Sequence, residues 1–252
     1  MLFRSSKVSA YTVYAHYLAL LVLQATPRIE PREVPVDGFE CREEIISAFG
    51  EVTFSSTLAY LWQLGIPVLP LNDSGAFHGA FWRVHGRNVV VLKQQTKSLA
   101  RWLNDLLHEL YHAGQEPEQP ERSVIEASET SAERRDSDEE QEATVFAADV
   151  VLDGRAEDLA HMCIELAGGR VERLKSTVTK VAEMEDADVG SLANYLAFRL
   201  SLQDVNWWGA ATNLQMQNNM PWEAARDWLV PRLDLSLLND ADRQILMRAL
   251  SN

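Results

Sequence analysis

The chain has 252 residues, 46% of them hydrophobic, and a formal net charge of −14, enough to bury a sizeable core as one large domain or as a catalytic domain with a helical extension. The acidic balance argues against broad, non-specific binding to duplex nucleic acid. Two cysteines, Cys41 and Cys163, make no disulfide framework and fit a reducing, cytoplasmic setting. No membrane contact is expected: the apolar run YLALLVL at residues 17–23 falls far short of the about 20 residues a bilayer requires, and no signal-peptide pattern is convincing.

That run belongs to an N-terminal helix expected to pack on the rest of the chain. Residues 27–44, with Pro27, Pro31 and Pro35, read as an extended linker, or alternatively as a segment folded inward over a functional site. Beyond LWQLGIPVLPL at residues 61–71, FHGAFWRV and NVVVLKQ read as two strands joined by a short turn at His85-Gly86-Arg87. A strand of this hairpin is expected beside a cleft, its edge open to an extended substrate backbone.

From Thr96 onward, Leu99, Trp102, Leu103, Leu106, Leu107, Leu110 and Tyr111 recur at helical spacing. Thr96 or Ser98 can cap this helix, and Gly114 and Pro117 stop it. Inside it stands His108-Glu109-Leu110-Tyr111-His112, an HExxH motif. At about 3.6 residues per turn, positions four apart lie one above the other, so both imidazoles can reach a single metal ion. Glu109 then falls beside the ion, where it can take a proton from an attacking water and return it to a leaving amine. A catalytic zinc needs a third protein ligand and an open fourth position.

His16, His78, His85 and His161 are isolated in the sequence, so a carboxylate is the expected third ligand. Between Glu116 and Glu142 eleven acids stand against three arginines, which places over half of the net charge in one segment. Its Pro, Ser and Glu content makes the first half a mobile loop, a solvated connection by default and otherwise a cover over a cleft. At its end, EEQEATVFAADVVL is helical, with Glu140, Ala143, Ala147 and Val150 or Val151 on one face. Asp138, Glu139 and Glu142 compete with Glu140, but a Glu142 carboxylate lies about 200° around the helix from it.

The C-terminal third reads as helices over residues 156–167, 170–184, 189–202, 204–216, 221–230 and 239–250. Trp207 and Trp208, followed by Gly209-Ala210-Ala211, point to tight helix packing, with a partner-binding groove as the alternative. No helix-turn-helix with a basic recognition helix is evident at either end.

HELYH, followed about thirty residues later by ExxATxFA, resembles the ImmA/IrrE family of zinc metallo-endopeptidases, and the likeness extends over residues from about 50 to 205. The resemblance implies an α+β fold: a zincin-like peptidase domain with a small sheet and the HExxH helix, followed by an all-helical C-terminal region. The division expected is residues 1–48 for an N-terminal helix and linker, 49–155 for the peptidase core and 156–252 for the helical region. It implies one Zn2+ held by His108, His112 and Glu140, with Glu109 as the acid-base residue. Two positions depart from the family pattern: Thr144 stands where Asn is usual, and Leu152-Asp153 where a Leu-Pro ending is common.

What the resemblance implies about function is a regulatory protease that cleaves a helix-turn-helix transcriptional repressor, releasing stress, mobile-element or anti-phage genes, with a nucleic acid as a candidate activating signal. Some relatives use a cysteine thiolate as a fourth ligand that restrains the enzyme, which brings in Cys41 and Cys163. Both also read as small buried apolar residues. Tyr195 and Arg199 are the candidates for stabilising the oxyanion, while Tyr111 reads as packing. The competing expectation is a metal-stabilised domain that sequesters a repressor without cutting it, against which the presence of Glu109 counts.

Overall fold

A computed structural model describes residues 2–27, 32–73, 77–125, 137–217 and 219–251, with side chains from Ala10 onward. The elements in chain order are helices α1 (Leu2–Ala25), α2 (Gly38–Phe49) and α3 (Phe54–Gln63), strands β1 (Val68–Leu71), β2 (Gly79–Val84) and β3 (Arg87–Lys93), helix α4 (Leu99–Gly114) and strand β4 (Arg122–Ile125). Helices α5 (Asp138–Leu152), α6 (Ala156–Ala167), α7 (Val171–Glu185), α8 (Val189–Ser201), α9 (Trp208–Thr212), α10 (Pro221–Leu229) and α11 (Asp240–Ala249) follow. The architecture is α+β, mostly helical around one small mixed sheet. Among the described residues no helix is long and apolar enough to cross a membrane.

The hairpin forms where the sequence places it. His85 and Gly86 both take a left-handed backbone, with φ of 50° and 73°, the combination that a two-residue turn matched to the strand twist requires. Alternation then sorts the strands into two faces. Val68, Phe81, Val90 and Leu92 point into the main core with α4. Leu69, Leu71, Ala80, Trp82, Val89 and Val91 point the other way, into a second core under α1. Leu18, Ala19 and Val22 from the YLALLVL run fill that second core, so α1 is the packed helix the sequence suggested.

The expected open edge of the hairpin is not there. The strand order is β1-β3-β2-β4, with β1 parallel to β3 and both β2 partners antiparallel, so each hairpin strand has a neighbour on both sides. The covering strand β4 lies inside the segment whose composition predicted a loop. Its four residues alternate between half-buried and exposed, too short a pattern to stand out among prolines and acids. The remainder of that loop, residues 126–136, lies outside the described residues, and so does residue 28–31 of the linker.

Half of the other linker positions, residues 38–44, are helix. Asp37 accepts a hydrogen bond from the Glu40 amide and starts α2, which packs against α5 and carries Cys41 and Ile45 into the main core. Arg42 of α2 also donates to the Val150 carbonyl at 2.7 Å and pairs with Asp153 at 2.8 Å. Asp153 ends α5 with φ of 59°, a left-handed position that a proline, fixed near −65°, cannot occupy. In the C-terminal region most predicted helices appear within two residues of their expected ends; the exception is 204–216, of which only Trp208–Thr212 is helix, with Asp204 at a φ of 59°.

Close approach of α2 to α5 depends on Gly38, where an added Cβ would meet Asp149 Cβ at 2.9 Å and the Phe146 carbonyl at 3.2 Å. Gly38→Ala is expected to lower the unfolding free energy by about 1–3 kcal/mol through overpacking, measured by urea denaturation against wild type; wild-type stability would show that this contact is not tight.

Candidate metal centre

Helix α4 begins at Ser98, whose hydroxyl accepts from the Arg101 amide at 3.1 Å. From there its two sides serve different partners. Trp102, Leu106, Leu107 and Leu110 are fully buried in the main core, each apolar side chain contributing about 1.5–3 kcal/mol by burial. His108 and His112 emerge toward α5, and both are fully buried too. Helix α5 starts at Ser137, which caps the Glu140 amide, and this start places Glu140 in the first turn opposite the two rings.

His108 Nε2 lies 3.2 Å from Glu140 Oε2 and 3.2 Å from His112 Nε2, and His112 Nε2 lies 3.5 Å from Glu140 Oε1. One ligand atom from each residue falls within 4.8 Å of the others, which makes this a group able to hold a metal ion. The Glu140 side chain keeps 16% of its surface exposed, so solvent reaches the group from the α5 side. Glu109, one position after the first histidine, is fully buried.

Each ring has an outer partner at Nδ1. His112 Nδ1 is 2.7 Å from Glu139 Oε1, which also accepts from Arg122 Nη2 at 2.7 Å. Thr144 Oγ1 donates to the Glu140 carbonyl at 2.9 Å and stands 3.5 Å from His108 Nδ1. Thr144 thus faces the His108 ring. With Nδ1 engaged outward, both histidines present Nε2 to the shared point. Burial alone would raise the Glu139 carboxyl, but hydrogen bonds from Arg122 and His112 outweigh it and hold the group below the usual carboxylate range.

The C-terminal end of α4 is held by the sheet. Arg83 of β2, almost fully buried, donates to the carbonyls of Ala113 at 2.8 Å and Glu116 at 2.6 Å, and its Nε reaches Asn88 at 2.8 Å. The Ala113 carbonyl follows His112 immediately, in the last turn, where carbonyls have no partner inside the helix. A buried guanidinium with its donors in a planar fork suits that task.

Of the residues expected from sequence, the structure brings together His108, His112 and Glu140, with Glu109 on the same helix. Glu142 points away and accepts from the Tyr111 hydroxyl at 2.6 Å, tying α4 to α5, while Tyr111 packs on Phe146. The two cysteines are elsewhere. Cys41 sits in the main core and Cys163 in the apolar cluster of the C-terminal helices, both with no exposed surface and neither within the ligand group. Burial, with Glu44 and Glu40 adding to it, pushes the Cys41 thiol up to about 12, and burial pushes Cys163 up to about 11. Tyr195 and Arg199 are engaged by Glu157, at 3.0 and 2.6 Å, and join α8 to α6. Sequence reasoning missed Glu139 as a ring partner and missed Arg122 and Arg83 altogether. Only the charge at position 139, next to the chosen ligand, gave any signal.

Comparisons with family models, with curated proteins and with solved structures find no match for this chain.

With thiols this far up and enclosed, the folded protein is expected to react with an aromatic disulfide reagent at neutral pH far more slowly than a free thiol, and to release two equivalents once unfolded. Rapid reaction of one equivalent in the native state would contradict the placement of Cys41 and Cys163.

Proposed function

We propose that this chain is a zinc-dependent endopeptidase, with His108, His112 and Glu140 as ligands and Glu109 as the general base. The observation that carries the reading is the gathering of donor atoms from the three side chains. A tetrahedral ion with bonds of about 2.0–2.2 Å separates neighbouring ligand atoms by about 3.3–3.5 Å. The two Nε2 atoms stand 3.2 Å apart, and the Glu140 carboxylate meets both rings at similar range through its two oxygens, Oε2 at 3.2 Å from His108 and Oε1 at 3.5 Å from His112, with one ligand atom from each residue within 4.8 Å of the others. Two imidazoles and one carboxylate, with a side left open, also suit a catalytic rather than a closed structural zinc.

When bound, zinc polarises a carbonyl and makes water a stronger acid at neutral pH. The chain supplies the rest. Glu109 accepts the proton of the attacking water and delivers it to the leaving amine nitrogen, so that its own charge is restored at the end of the cycle. Glu139 and Thr144 face the outer nitrogens of the ligand rings, and a carboxylate in that place strengthens the ring as a ligand. Enclosure of both rings and of Glu109 keeps bulk water from the groups that move protons.

An HExxH helix beside a small sheet, with the third ligand one helix later, is the layout we assign to a zincin-like peptidase domain. HELYH and ExxATxFA support membership of the ImmA/IrrE family and, through it, a helix-turn-helix repressor as the substrate.

Purified protein is expected to carry about one zinc per chain after dialysis against a weak chelator, and Glu140→Ala to lose it. Glu109→Gln is expected to keep the metal while cleaving a helix-turn-helix repressor about 10²–10⁴ times more slowly. Repressor released from DNA uncut by the zinc-loaded Glu109→Gln variant would instead make the chain a sequestering protein, and absence of zinc from wild type would remove the peptidase reading.

A further inference from the structure

We propose that Arg122 and Glu139 are positioning residues of the metal centre: the guanidinium fixes the carboxylate, and the carboxylate orients the His112 ring, which makes strand β4 part of the site. This rests on the zinc reading above.

A single guanidinium contacts three things. Arg122 Nη2 donates to Glu139 Oε1 at 2.7 Å, Nη1 to the His112 carbonyl at 3.2 Å, and Nε to Glu116 Oε2 at 2.8 Å. It therefore holds both the backbone of a ligand and the outer partner of that ligand's ring. A carboxylate can only accept, so the 2.7 Å contact assigns the proton to His112 Nδ1 and leaves the Nε2 lone pair for the ion.

The two ligand rings are not equivalent. His108 faces a neutral hydroxyl at 3.5 Å, whereas His112 faces a charged acceptor at 2.7 Å. Charge-assisted hydrogen bonds are about twice as strong as neutral ones, and an anionic partner raises the basicity of the ligating nitrogen. The Glu139 carboxylate thus sets the affinity of the His112 ring for the ion from outside.

An acid in the first turn of α5 needs no special explanation, since the helix dipole favours it there. Its aim does. The Glu139 side chain is 38% exposed, while that of Arg122 is only 10% exposed. A carboxylate that open would sample several rotamers in water; the enclosed arginine selects the one that reaches His112. Arg122 in turn is placed by sheet register, paired across β2 with Arg83, the residue that holds the end of α4.

The test is zinc affinity, measured by competition with a chromophoric chelator, together with the circular dichroism and melting of the metal-free proteins. Glu139→Ala and Arg122→Ala are each expected to weaken zinc binding about 10- to 100-fold with the metal-free fold unchanged. Glu139→Gln, which keeps an acceptor oxygen but no charge, is expected to recover part of the loss. Wild-type affinity in both alanine variants, with one zinc bound to wild type, overturns this inference and leaves the peptidase reading standing; a wild type that binds no zinc removes that reading itself. If the alanine variants fail to fold, the near-isosteric Glu139→Gln decides: weakened binding with a native spectrum supports the proposal, and wild-type binding overturns it.

Discussion

Three acceptor atoms aimed at one point in a region nearly closed to water are the constraint around which this structure is arranged. The Nε2 atoms of His108 and His112 are 3.2 Å apart, and the Glu140 carboxylate lies against both. Lone pairs gathered this way repel unless a cation or a proton stands between them, and burial removes the water that would otherwise relieve them. A metal ion held there would therefore add to the stability of the fold. Holding it open requires that α4 and α5 face each other in fixed register.

That register is over-determined. On α4, an apolar face of leucines and Trp102 anchors the helix in the main core, Ser98 fixes its start and Arg83 its end. On α5, Ser137 fixes the start, Asp153 and Arg42 the end, and the Tyr111–Glu142 hydrogen bond links the two helices beyond the ligands. Each contact alone is modest, about 0.5–1.5 kcal/mol for a neutral hydrogen bond and more for a charged one. Together they leave the ligand side chains few alternative positions, which is what a preformed metal centre needs.

Much of this was legible in the sequence because it is local. Helical periodicity places α4 and its stop at Gly114, HExxH marks two members of the candidate ligand group, and the about 200° between positions 140 and 142 separates Glu140, which faces the histidines, from Glu142, which does not. The hairpin could be read from His85-Gly86 and the alternation around it. What escaped depends on pairings between distant segments. β4 is a strand only because β2 offers it an edge, and Arg122 meets Glu139 and His112 only once that pairing is made. Residues 38–44 read as linker because the prolines before them dominate, while the cap at Asp37 and the packing of Cys41 and Ile45 against the core make them helix. A cysteine has the same letter whether it is a ligand or a small apolar residue; burial separates the two, and burial is not visible in one sequence.

The central claim concerns the first shell around the ion, and X-ray absorption at the zinc edge on the purified, zinc-loaded protein examines it without a substrate. Ligation by His108, His112 and Glu140 predicts light neighbours only, nitrogen and oxygen at about 2.0–2.2 Å, with the multiple-scattering signature of two imidazoles. Sulfur at about 2.3 Å, or a shell with no imidazole signature, would contradict it and place the ion somewhere other than between α4 and α5.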